Sequence, residues 1–181
     1  MDSSLYYYKS NKYTKIGIQI KRLYMERTLN ADLNTDRHWM HEALKLAKEA
    51  YEHGEVPVGC VIVKEGEVVG SARNETEELS DVKAHAEMLA IDRACRTIGN
   101  KYLMGCTLYV TLEPCPMCAG ALVWSKIDRI VFAALDHKAG ACGSLFNVVS
   151  SPHLNHRVAV LHGVLEQESE DLLKAFFQSK R

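Results

Sequence analysis

From Trp39 onward the hydrophobic pattern switches repeatedly between a helical period of about 3.6 and a strand-like period of about 2, which restricts the chain to few folds. Trp39, Met40, Ala43, Leu44, Leu46, Ala47 and Ala50 recur at helical spacing, with Asp36 placed to cap the start and Gly54 to stop the helix. "PVGCVIV" and "EVVGSA" read as two strands joined around Glu65-Gly66, a hairpin. "AHAEMLAIDRACRTIG" follows as a second amphipathic helix ending near Gly99, and "CTLYVTL" as a buried strand. "CPMCAGALVWS" opens a third helix with Pro116 in its first turn. "RIVFAAL" and "RVAVLHG" are further strands, and "EQESEDLLKAFFQSK" is a closing helix. Five strands interleaved with helices predict an α/β fold, a three-layer α/β/α sandwich. The early hairpin makes its central five-stranded sheet mixed rather than parallel.

The 181 residues suffice for one domain with its own core, and no repeat or low-complexity linker divides them. Residues 1–24 stand apart: Lys9, Lys12, Lys15, Lys21 and Arg22 face one acid, Asp2, among five tyrosines. "KIGIQI" alternates like a short strand, without a nearby partner. This stretch reads as a basic, Tyr-rich, disordered extension, with the working domain at 25–181. A targeting peptide or a basic RNA-binding arm is the sharper alternative. A net charge of −1 announces no nucleic-acid binder, although a local basic patch survives such an average. No apolar run approaches the ~18 residues of a membrane span, and the first residues lack a secretory core, so the cytoplasm is the expected compartment.

In such a compartment six cysteines are unlike a disulfide framework, and close pairs bind metal or do redox work. Cys115 and Cys118, at i and i+3, share one face of the third helix at its N-terminus, where the macrodipole favours thiolates. A catalytic zinc takes three protein ligands and leaves a fourth position to water. His85, at the start of the second helix, is the best third ligand, because a neutral imidazole completes two thiolates without adding charge. Glu87 follows at i+2, a spacing for a carboxylate beside the metal and not on it, suited to general acid/base work. A structural zinc wants a fourth protein ligand, and no second Cys-x-x-Cys supplies one. A redox pair leaves His85 and Glu87 without a role. Cys60, Cys95, Cys106 and Cys142 read as small core residues. Taken together, "HAE" and "PCPMC" with 27 residues from Glu87 to Pro114 match the H-x-E…P-C-x-x-C signature of zinc-dependent nucleobase deaminases.

Over residues 39–177 the chain resembles the bacterial tRNA-specific adenosine deaminases of the cytidine deaminase-like superfamily. "EVPVGCVIV", "AHAEMLAID", "TLYVTLEPCPMCAGAL", "RIVFAALDHKAGACGSL" and "LNHRV" carry the likeness. The resemblance implies hydrolytic deamination of adenosine to inosine at the wobble position of a tRNA anticodon stem-loop, by a homodimer with one Zn²⁺ per subunit. It further implies that His85, Cys115 and Cys118 hold zinc and that Glu87 shuttles protons. Asn74 would hydrogen-bond the flipped base, Asp136 would contact the adjoining backbone, and Pro57, Val58 and Val110 would line the base pocket. Lys138 is a candidate phosphate contact. A deaminase of a free base or nucleoside (guanine, cytosine or cytidine) is the alternative on the same fold, and "ETEE" at 75–78 sets three acids beside the expected RNA path.

Overall fold

The computed structural model describes the backbone of residues 15–180 and side chains from Asp32 onward. The chain divides into two compact units, residues 1–35 and 36–181. Helix α1 (Lys15–Glu52) is followed by β1 (Gly59–Lys64), β2 (Glu67–Arg73), α2 (Ala86–Ile98), β3 (Cys106–Leu112), α3 (Pro116–Trp124), β4 (Arg129–Ala134), β5 (Ala159–His162) and α4 (Glu166–Ser179). The sheet has the order β2-β1-β3-β4-β5. β1 runs antiparallel to β2 and β3, whereas β3–β4 and β4–β5 are parallel, so the mixed five-stranded sheet is borne out. The β1–β2 hairpin turns at Glu65 and Gly66, both with positive φ (52° and 81°), the geometry of a tight two-residue hairpin.

Alternation along the strands divides the core in two. On one face Cys60, Ile62, Leu108, Val110, Ile130 and Phe132 pack against Ala86, Ala90 and Ala94 of α2 and Ala119, Leu122 and Val123 of α3. On the other, Val61, Val63, Tyr109, Val131 and Ala133 pack against Met40, Ala43 and Leu44 of α1 and Val164 and Leu165 at the entry to α4. Those are the two outer layers of the expected sandwich. The helices approach closely because glycine stands opposite them. A Cβ at Gly59 would run into the backbone of Ala43 and Ala47, and one at Gly70 into that of Ala90 and Ala94.

Two expectations are corrected. α1 begins at Lys15, so "KIGIQI" is helical, not a strand, and Asp36 lies inside the helix rather than at its cap. Asp36 is instead a buried acid that accepts two 2.7 Å bonds from the Arg129 guanidinium and one of 3.0 Å from the Tyr109 hydroxyl. Residues 1–14, on which most of the expected disordered extension falls, lie outside the described residues. Among the described residues no helix is long and apolar enough to cross a membrane.

Gly59→Ala forces β1 away from α1 and is expected to destabilise the fold by about 2 kcal/mol, read as a lower midpoint in chemical denaturation.

Candidate zinc centre and base pocket

Three short connections deliver the site. Only Glu113, Pro114 and Cys115 separate the end of β3 from α3, so α3 starts directly beyond the carboxyl end of a central strand. Cys115 is the N-cap of α3, in extended conformation (φ −70°, ψ 171°), with Pro116 at the first helical position. His85 is likewise the extended N-cap of α2 (φ −69°, ψ 149°), and Glu87 sits in that helix's first turn. An i, i+2 pair inside a regular helix would diverge. With His85 outside the helix and Glu87 inside it, both line one cavity.

His85 Nδ1 lies 3.7 Å from Cys115 Sγ and 3.5 Å from Cys118 Sγ. The three ligand atoms all lie within 4.8 Å of one another. Tetrahedral zinc, with Zn–N near 2.0 Å and Zn–S near 2.3 Å, separates its nitrogen and sulfur ligands by about 3.5 Å. The donor set and its spacing therefore fit zinc. Among the described residues, the metal-competent cluster is these three alone, and two of them, His85 and Cys115, line the cavity. Charge agrees. The hydrogen bond from Cys118 and that from His85 hold the Cys115 thiol down at about 4, while the same bond to Cys115 and burial push Cys118 well up. His85 is raised by its bond to Cys115. Thiolate ligands are what a divalent cation binds, so metal affinity at this site rises with pH as protons are released. Two helix N-termini point at this negative cluster.

Glu87 is buried beside the cluster, and burial raises its carboxyl above the usual range. It lines a cavity of about 210 Å³ together with Val56, Val58, Asn74, His85, Cys115 and Asp136. Pro57 and Val110 do not line it. The Val58 N–H donates to the Val56 carbonyl (2.8 Å), a tight three-residue turn about Pro57, and Val56 and Val58 line the cavity while the buried Pro57 does not. Val110 shares its strand face with Leu112 but sits deeper, fully buried in the core, so Leu112 takes the lining position. Lys138 is exposed and borders a separate groove against α4, with Leu173, Lys174 and Phe177. Asp136 reaches the cavity, yet its Oδ1 also accepts the N–H groups of Lys138 (2.8 Å) and Ala139 (3.1 Å).

Two buried acids escaped the sequence reading. Glu55, fully buried, accepts the N–H groups of Glu77 (2.9 Å) and Glu78 (2.8 Å) on Oε1. Its Oε2 accepts Asn74 Nδ2 (3.0 Å) and the Thr76 hydroxyl (3.1 Å). Glu113 accepts the N–H groups of Asp136 (3.0 Å), Cys142 (2.9 Å) and Ser144 (3.0 Å), and the Ser144 hydroxyl. Burial works to raise Glu113, but these bonds outweigh it and hold its carboxyl below the usual range. The one signal of both in the sequence is an acid set directly before a hydrophobic or proline-bearing segment, "EVPVG" and "EPC". The acids of "ETEE" are largely absorbed: Glu75 pairs with Arg93 (3.5 Å) and Glu78 with Arg73 (2.6 Å).

Residues 33–134 match the family described as the cytidine and deoxycytidylate deaminase zinc-binding region. The chain is 55% identical over 144 residues to a tRNA-specific adenosine deaminase of Aquifex aeolicus, covering 80% of this chain and 95% of that protein. It is 50% identical over 151 residues to the Bacillus subtilis protein of the same name, covering 82% and 92%. A solved structure from a study of A-to-I editing by tRNA:A34 deaminases at the wobble position superposes with a TM-score of 0.73 at 44% identity, over 75% of this chain and 99% of that one.

Replacing Cys118 with Ser is expected to weaken zinc binding beyond the ~10–100-fold cost of disturbing residues that merely orient ligands, measured by metal content after dialysis against a chelator.

Proposed function

The chain belongs to the zinc-binding cytidine and deoxycytidylate deaminase family, and from that premise we propose that it hydrolyses adenosine to inosine at the wobble position of a tRNA anticodon. The observation that carries the reading is the pair of tRNA-specific adenosine deaminases matched at 50–55% identity over nearly their whole lengths. His85, Cys115 and Cys118 are the zinc ligands in this reading, and Glu87 is the proton carrier. When bound, zinc acts as a Lewis acid that brings the acidity of a water from about 15.7 to about 7.

The chain's own residues supply the rest. The cavity is smaller than the ~300–1,000 Å³ of drug-sized sites, so it takes one planar base and leaves ribose and neighbouring nucleotides outside. Such a base must leave its stack, which costs least in a single-stranded loop. Val56, Val58 and Leu112 give the base apolar walls, and Asn74 gives it a polar edge. Glu87 carries one proton from the attacking water to ring N1 as the oxygen bonds to C6, then carries the proton of the resulting C6 hydroxyl to the exocyclic amine, and the C6–N bond breaks to release ammonia. Burial raises the Glu87 carboxyl, the direction that a group which must both take up and release a proton requires. Asp136, at the cavity mouth, is placed for the adjoining nucleotide, and Lys138, outside the cavity, for a phosphate.

The same reading makes the enzyme a cytoplasmic homodimer, and Trp124, 71% exposed at the end of α3, is a side chain that pairing would cover. It also assigns the activity to residues 25–181. A protein beginning at Met25 is expected to keep most of its inosine-forming activity on total tRNA; loss of that activity would move the domain boundary upstream. Glu87→Ala is expected to lower inosine formation by about 10²–10⁴-fold with zinc still bound, and an active variant would remove Glu87 from the proton-carrying role.

A further inference from the structure

The contacts of Glu55 restrict how Asn74 can meet a ligand. Glu55 is fully buried, and a carboxylate offers only acceptors, so every group facing it donates. The end of the Asn74 side chain turned toward Glu55 is therefore its NH₂. Nδ2, Glu55 Oε2 and Thr76 Oγ1 form a nearly equilateral triangle with sides of 3.0, 3.1 and 3.1 Å. An amide NH₂ carries two hydrogens, and these two acceptors account for both. Asn74 Oδ1 has no protein partner among the described residues and is not sealed from solvent, and the residue lines the base cavity.

We infer that Glu55 is a specificity-determining positioning residue, which fixes Asn74 so that the cavity meets its Oδ1 acceptor and not its NH₂. This rests on the deaminase reading given above. An amide oxygen is the acceptor with which an asparagine meets the exocyclic amine of adenine. Guanine presents two acceptors, O6 and N7, on the same edge, so Oδ1 would oppose O6. Glu55 thus acts on the base through Asn74. Were the amide free to rotate by half a turn, the two bases would be told apart less well.

The test is the affinity of an anticodon stem-loop carrying adenosine or guanosine at the target position, measured in a Glu87→Ala background so that turnover does not intervene. In that background, guanosine is expected to bind about 5–10-fold more weakly than adenosine. With Glu55→Gln added, the amide at 55 can donate to Asn74 Oδ1, Asn74 loses its fixed orientation, and the guanosine penalty is expected to fall below about 2-fold. A residue needed only for packing would leave that penalty unchanged, and an unchanged penalty overturns the inference. So does a stem-loop bound equally well with either base by the protein that keeps Glu55, a comparison that stands even if Glu55→Gln does not fold. Failure of the deaminase reading is separate: it would appear as no inosine formed by the unaltered protein on any tRNA.

Discussion

The tight passage from β3 into α3 governs the site. A parallel β3–β4 pair requires a crossover on one face of the sheet, and α3 with its flanking turns is that crossover. Only three residues lie between strand and helix, so the helix N-terminus cannot be anywhere but above the strand's carboxyl end. β3 is also where the sheet changes sense, antiparallel to β1 on one side and parallel to β4 on the other. Open α/β sheets bind ligands at such points. α2 crosses the same face from β2, and its small residues Ala86, Ala90 and Ala94 let it lie close to the sheet. Two helix starts converge there, and the cysteines and histidine follow from where those starts lie.

Much of this was legible because its signals are local. Cys115-Pro116-Met117-Cys118 states its geometry within one helical turn, and the strands announce themselves by alternation. What was hidden depended on partners far along the chain. Asp36 looks like a helix cap because nothing nearby reveals that Tyr109 and Arg129, 73 and 93 residues away, consume its oxygens. "KIGIQI" has strand-like alternation and nothing to pair with, and the continuing helix prevails over a six-residue pattern. Glu55 and Glu113 look like solvated acids because five of their partners are backbone N–H groups, which no side-chain pattern displays. Pro57 and Val110 lie outside the cavity lining for a simpler reason: resemblance names a neighbourhood, while depth along β3 and the turn at Pro57 decide which member of it reaches the cavity.

The acidic loop at 75–78 shows how little a local charge count says about a surface. Glu75 and Glu78 engage arginines of α2 and β2, and the loop's backbone N–H groups turn inward to Glu55. Such a loop carries far less free negative charge than its letters suggest.

The two buried carboxylates also bear on how freely this enzyme can change. Each fastens a wall of the cavity through main-chain N–H groups: Glu55 holds 77 and 78, and Glu113 holds 136, 142 and 144. Every residue except proline carries such a group. Side chains along those rims can therefore be exchanged without loosening the cavity, and new contacts can be tried there while the chemistry beneath keeps its shape. The fold separates the part that must stay fixed from the part that can drift.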